Sequence, residues 1–485
     1  MKILPLIILL IFAPTAFSSD LPDLGDVSQE SLSPLQERQI GQQSLMQIKA
    51  SKQYYEDPEV NDYLNEIGDK LVQYSNEPSL SFEFFAVNDN SVNAFAMPGG
   101  FIGVNTGLLL ITENESELAS VLGHEISHVT QHHMARMVSA TKGDTMASMA
   151  AIALAILAAR SNPDVAQAAV AGTGAHLMQK QLNFTREHEQ EADRLGLDLM
   201  EKAGFDPHAM PEFLELLQKS TRLIDGNAPN YMRTHPITSD RIADIENRVS
   251  KLPYHLLPDS LNFDFVRTKL IGLQKTPKNA IRYFNDALTV HKFGNQLAQR
   301  YGLVSSLLRD NQIDRAKSEL AILLKQAKAI PAAQDNAMLT TLEARVKRAA
   351  NDPDTLAFYR TAVQNFPQSR ALVYEYTDLL INSNQADAAV KLLTDQVTLH
   401  PMDTTLYDLE ARAYHQLHNS LEQHRAQAYS MAWQGNLPDA IMQLEIAKRE
   451  GGSFYQLSII ESDLRELREM QSEQEDGKKK KKKKK

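Results

Sequence analysis

The segment Val121-Leu122-Gly123-His124-Glu125-Ile126-Ser127-His128-Val129 decides how the rest of the chain is read. It holds His-Glu-x-x-His inside a run whose apolar residues, Leu118, Val121, Leu122 and Ile126, recur at the three- and four-residue spacing of a helix with one buried face. On such a helix residues i and i+4 are neighbours, with Cβ atoms about 5–6 Å apart, so His124 and His128 can direct two imidazoles at one metal ion. Glu125 projects beside that face, where it can take a proton from an attacking water. The helix is expected to begin near Thr112, because Thr112 and Glu115 have the spacing of a capping box.

A catalytic zinc site needs a third protein ligand and an open position. The metzincin continuation would place Gly at 131 and His at 134, but Gln131 and Met134 stand there, which excludes that class. The other completion is a Glu on a second helix followed four residues later by Asp, and Glu189-Gln190-Glu191-Ala192-Asp193 supplies it. Glu189 is therefore the expected third ligand of one zinc ion per chain. Asp193, one turn on, is expected to accept the outer N–H of a zinc-bound histidine and so fix its tautomer. Glu191 is the second choice as ligand, since no acid follows it at that interval. Of the 14 histidines, His132 and His133 are expected at the surface or around the ligands, while His176 and His188 have no spacing that pairs them.

Working outward, 485 residues exceed what one core usually organises, so two domains are expected. An apolar fraction of 43% with 23% charged residues fits a soluble chain, neither disordered nor integral to a membrane. There is no cysteine, which excludes disulfides, thiolate ligands, a lipidated thiol and cysteine nucleophiles, and leaves nitrogen and oxygen to bind any metal. The net charge of −11, carried in spite of the lysine run Lys478 to Lys485, argues against nucleic-acid partners. That run reads as a solvated tail, or alternatively as a peripheral contact with an anionic membrane surface. At the other end Met1 and Lys2 precede an apolar run from Ile3 to Phe12, and the small residues Ala16 and Ser18 suit cleavage after Ser18. Export is expected, and an exported chain without disulfides points to a bacterial envelope.

Alternating segments near Phe82 to Val87 and Ser91 to Ala96, and a third from Phe101 to Val104 after the turn Pro98-Gly99-Gly100, read as strands. The small-residue stretches from Thr145 to Ala159 and from Val165 to Met178 read as a buried helical hairpin, or alternatively as an apolar lid. Pro-containing sequence from Leu252 to Asp259 marks a boundary with an all-helical second half. There Asn-x-x-Asp recurs at Asn311/Asp314, Asn384/Asp387 and Asn436/Asp439, before Ala316, Ala388/Ala389 and Ala440, and Pro367 and Pro401 lie 34 positions apart. That is the tetratricopeptide period, and such stacked helix pairs offer a concave surface to protein partners. The expected divisions are a signal peptide at 1–18, a metallopeptidase domain at 19–262, helical repeats at 263–470 and a disordered charged tail at 471–485.

His-Glu-Ile-Ser-His followed by Glu-Gln-Glu-Ala-Asp-Arg resembles the gluzincin family of the HtpX, OMA and CAAX-prenyl proteases, most strongly from Asn93 to Arg241. With an export signal and repeats added, the chain is similar to that family's periplasmic branch. The resemblance implies an α+β fold, a mainly helical metallopeptidase domain with a small β-sheet followed by an all-α tetratricopeptide-repeat domain. It implies zinc ligands at His124, His128 and Glu189, a catalytic base at Glu125 and a supporting or proton-donating acid at Asp193. It draws attention to Thr234-His235-Pro236, since in relatives the matching histidine can fill the fourth zinc position and keep the enzyme latent. Arg241 would lie near the cleft and stabilise an oxyanion, and Asn93 to Met97 would be an edge strand to which a substrate strand adds. The activity implied is a periplasmic endopeptidase acting on unfolded or misassembled outer-membrane proteins, with the repeats meeting the barrel-assembly machinery. A reading from another class is a chaperone or adaptor whose protease site mostly rests.

Overall fold

The computed structural model describes residues 33–140, 175–223, 230–254, 258–290 and 295–483. The expected signal segment 1–18 and the hairpin 145–178, apart from its last four residues, lie outside the described residues. The chain enters through α1 (Pro34–Ala50), opened by a capping box between Ser33 and Gln36, and α2 (Pro58–Val72), capped by Asp57. Both carry proline in the first turn, where its missing N–H costs nothing. Three short strands follow, β1 (Glu83–Val87), β2 (Ala94–Met97) and β3 (Phe101–Asn105), in the order β1-β3-β2. β3 is parallel to β1 and antiparallel to β2, and every residue of β3 is buried. β2 is thus an edge strand, as the resemblance implies.

A one-and-a-half-turn helix, α3 (Thr106–Ile111), leads into the motif helix α4 (Glu115–Thr130). The start of α4 differs from the expectation. Thr112 closes α3, its amide donating to Leu108 O and its hydroxyl to Leu109 O, so its side chain is engaged with the preceding helix. The capping pair lies two residues later: Asn114 Oδ1 accepts from Glu117 N at 2.9 Å, and Glu117 Oε2 accepts from Glu113 N at 2.7 Å. From Ser116 to Thr130 every residue of α4 is buried, so this helix runs through the core rather than along its surface.

Beyond α5 (His133–Ala140), the long helix α6 (Ala175–Lys202) crosses α4 at two glycines. A Cβ placed on Gly196 would stand 3.0 Å from His124 N, and one on Gly123 would stand 3.1 Å from Gly196 O. This contact lets the backbones touch and sets Glu189 and Asp193 opposite the motif histidines. Gly196→Val should therefore push the helices apart, lowering stability by about 1–3 kcal/mol and weakening metal retention in denaturant titration and metal analysis. Wild-type values for both would show that the crossing tolerates a side chain. Three further helices, α7 (Ala209–Leu223), α8 (Asn230–Thr234) and α9 (Ser239–Val249), close the same core.

From α10 (Leu261–Leu273) onward the described chain is helical, in antiparallel pairs. Asn311 (φ 57°), Asn384 (φ 55°) and Gly435 (φ 81°) turn three of these pairs in the left-handed conformation, and Ala316, Ala389 and Ala440, five residues after each, are fully buried. The third Asn-x-x-Asp match is therefore one residue out of structural register, because Gly435, not Asn436, occupies the turn position. His418 (φ 54°) makes an equivalent turn 34 residues after Asn384. The repeats hold the first domain closely: Arg370 pairs with Asp62 at 2.5 Å, Lys49 Nζ donates to Met402 O at 2.7 Å, and Lys269 and Arg345 both meet buried Glu59. The last helix, Phe454–Lys483, takes in residues 471–483, where the sequence suggests a disordered tail. Ile460, Leu464 and Leu467 anchor its first half against the preceding helix. Among the described residues no helix is long and apolar enough to cross a membrane.

Candidate metal centre

His124 and His128 project from α4 with their Nε2 atoms 3.0 Å apart. Glu189 reaches them from α6, Oε2 at 3.4 Å from His124 Nε2 and Oε1 at 3.5 Å from His128 Nε2. His235, just past α8, adds Nδ1 at 3.2 Å from His124 Nε2 and 3.1 Å from Glu189 Oε2. All four side chains are buried, and their ligand atoms lie within 4.8 Å of one another. Four ligands about 2.0–2.1 Å from one ion in a tetrahedron stand about 3.3–3.4 Å apart. Five of the six separations, at 3.0–3.5 Å, bracket that value, so the two motif imidazoles, a third from His235 and one carboxylate converge as a donor set that suits zinc. Glu191, the second choice, points away to His133 and Arg136 and is 38% exposed in its side chain.

The outer contacts of these residues fix their orientation. Asp193 Oδ1 lies 2.9 Å from His124 Nδ1, leaving Nε2 for the metal. Arg241, on α9, clamps Asp193 with two bonds, Nε to Oδ2 at 2.7 Å and Nη2 to Oδ1 at 2.8 Å. Its remaining Nη1 meets Glu189 Oε2 at 3.0 Å and Pro236 O at 2.9 Å. The oxyanion role implied for Arg241 is thus not what this arrangement offers, because the guanidinium is committed to two carboxylates and to the loop that carries His235. Burial disfavours the charged form of His124, but Asp193 and Glu189 override it and raise its pKa to about 9 in the metal-free chain. Burial lowers His128 to about 4, although Glu189 opposes this. For Glu189, burial would raise the carboxyl, yet His235 and the two motif histidines hold it well below the usual range.

Glu125 is fully buried, and its Oε1 lies 3.2 Å from His235 Nε2. His235 consequently faces the ligand cluster with one ring nitrogen and the carboxylate of Glu125 with the other. Its position rests on Tyr231, which sequence reasoning missed and which carries no motif signal. The His235 ring stacks on Tyr231 with centroids 4.8 Å apart, His235 N donates to Tyr231 O at 2.7 Å, and Tyr231 N donates to Val92 O at 3.0 Å, just before β2. His132 and His133 part company: His132 lies 3.0 Å from Glu37 and 3.2 Å from Glu77, whereas His133 packs against His128, with His188 stacked on it.

Residues 58–249 match the model of peptidase family M48. Along nearly the whole chain the sequence is similar to the beta-barrel assembly-enhancing protease of Yersinia pestis, 32% identical over 422 residues that cover 87% of this chain and 86% of that one. The protein of the same name from Escherichia coli K12 is 30% identical over 433 residues, covering 89% and 87%. The mitochondrial metalloendopeptidase OMA1 of Arabidopsis thaliana is 30% identical over 229 residues, covering 47% of this chain and 44% of that one.

Proposed function

The chain belongs to the beta-barrel assembly-enhancing proteases of peptidase family M48, and from that premise we propose that it is a periplasmic endopeptidase, rested by its own His235, that acts on outer-membrane proteins. That it is a zinc metalloprotease follows from the family and from the buried donor cluster. Zinc, when bound, supplies a Lewis acid that polarises a peptide carbonyl and makes water easier to deprotonate. His124, His128 and Glu189 would hold it, with Asp193 and Arg241 keeping His124 and Glu189 in place. Glu125 takes the proton of the attacking water and returns it to the leaving amine.

Substrate is held by backbone. β2 pairs with β3 on one side, which leaves its other side for an extended segment to join by main-chain hydrogen bonds. A small recess opens beside His128 and Glu189, with Ala96, Met97, Val129, Met134 and Met137 on its apolar side and Glu37, His132, His133 and His188 on its polar side. Unfolded or misassembled outer-membrane proteins, rich in unpaired strands, have this chemistry. The repeats supply the surface for the barrel-assembly machinery, and the apolar leader ending near Ser18 supports delivery to the periplasm. A purely adaptor-like role is not favoured, since base, ligands and their supports are all assembled.

The observation that carries the resting state is the double engagement of His235, with Nδ1 at the ligand cluster and Nε2 at Glu125. A neutral imidazole in the fourth position excludes water from it. The loop holding His235 is tied through Tyr231 to the lead-in of β2, so strand addition and release of His235 act on the same backbone. In a casein assay of the purified chain, His235→Ala should raise the basal rate about tenfold, a barrier change of about 1.4 kcal/mol, and a chelator should stop both proteins. A lower rate in His235→Ala with zinc content unchanged would make His235 a participant in catalysis instead of a latch.

A further inference from the structure

His133 lies five residues beyond His128, a spacing that on an unbroken helix sets side chains about 140° apart. The helix is broken: Gln131 caps α4, His132 turns left-handed at φ 49°, and α5 begins at His133. The break swings the His133 ring under His128, Nδ1 to Nδ1 at 2.8 Å. The other nitrogen of His133, Nε2, lies 3.1 Å from Glu191 Oε2, which also accepts from Arg136 Nη1 at 3.0 Å. His188 stacks on the ring with centroids 4.0 Å apart and planes 6° from parallel, and His133 itself is 3% exposed.

We propose that His133 is a positioning residue that fixes His128 as a metal ligand by accepting the hydrogen of its Nδ1, with Glu191 and Arg136 as the outer anchor. Two ring nitrogens 2.8 Å apart require a hydrogen on one and a lone pair on the other. If His128 binds through Nε2, its hydrogen sits on Nδ1, so His133 accepts at Nδ1 and carries its own hydrogen on Nε2. That hydrogen points at Glu191, a carboxylate that can only accept. The reverse assignment fails twice: it would aim a lone pair of His133 at a carboxylate and place the hydrogen of His128 on the nitrogen the metal needs. The two motif histidines are therefore oriented by different chemistry, His124 by a charged carboxylate and His128 by a neutral ring. His188, stacked flat on that ring, holds its plane.

The proposal rests on His128 being a ligand, and the test separates the two claims. Zinc affinity of the full chain is measured by competition with a chromophoric chelator, beside the visible absorption of the cobalt-substituted protein. His133→Phe keeps a ring for the stack but no acceptor, and should weaken zinc binding about 10- to 100-fold and alter the cobalt spectrum. His133→Asn returns an acceptor near the Nδ1 position and should bind within a few-fold of wild type. Glu191→Ala, at a half-exposed position, should give a smaller loss in the same direction. Wild-type affinity and spectrum in His133→Phe would overturn the proposal, as would equal losses in Phe and Asn, which would mark a packing role. Should His133→Phe fail to fold, unchanged affinity in Glu191→Ala overturns it instead. Wild-type zinc binding in His128→Ala would remove the ligand reading itself.

Discussion

Glu125→Gln is expected to lower peptide hydrolysis by about 100-fold or more, the usual loss when a general base is removed, with zinc content and unfolding midpoint unchanged. The carboxylate is not among the four converging ligand atoms, so its charge is not needed to hold the ion. It sits on α4 one residue beyond His124, fully buried, where its oxygen faces His235 Nε2 at 3.2 Å. Glutamine keeps the size, but an amide cannot take a proton from water at neutral pH. Because the proposed latch would keep the resting rate low, the comparison is sharpest in the His235→Ala background. The double variant should be silent where the single one is active. Activity of the double variant within a few-fold of His235→Ala would remove Glu125 from its assigned role.

The parts of the site that were legible in the sequence are those fixed by helical spacing. His124 to His128 and Glu189 to Asp193 each span one turn, and a turn places side chains whatever the rest of the fold does. The helix start is legible only to within two residues, because Thr112 and Asn114 both fit a cap and only the hydrogen bond of Thr112 to the preceding helix decides between them. Arg241 was placed near the site by resemblance, but its partners depend on how α9 packs against α6, 48 residues away in sequence. Nothing local foretells that its donors are consumed by Asp193, Glu189 and Pro236. The position of His133 was hidden for a different reason: a left-handed His132 is rare for a residue with a Cβ, and a periodic reading carries the helix straight through it. In the repeats the buried alanines were visible as a pattern, while the one-residue shift at Gly435 was masked by an Asn-x-x-Asp match that occurs beside the turn instead of in it.

Glu189→Gln should abolish stable zinc retention, with affinity falling about 100-fold or more, which corresponds to about 2.7 kcal/mol. Glu189 is the one anionic group in the donor set, the other three being imidazoles, so removing its charge leaves a divalent ion in a buried site with no anionic ligand and only the outer carboxylates of Asp193 and Glu125 nearby. The carboxylate is also pre-ionised, since the surrounding histidines hold its pKa well below the ordinary range in spite of burial. An amide oxygen can occupy the same place but binds zinc far more weakly than a carboxylate. The fold should survive the change, because Arg241 keeps both of its bonds to Asp193 and loses only the contact of Nη1 with Glu189. Loss of zinc with a wild-type unfolding profile of the metal-free protein is therefore the expected pair of results. Glu191→Gln is the matched control, two positions away on the same helix and pointing outward to Arg136 and His133. It keeps an acceptor for both and should hold zinc nearly as wild type does. If instead Glu191→Gln empties the site while Glu189→Gln keeps its metal, the helix presents a different face to α4 than the one described, and the third ligand moves by two residues.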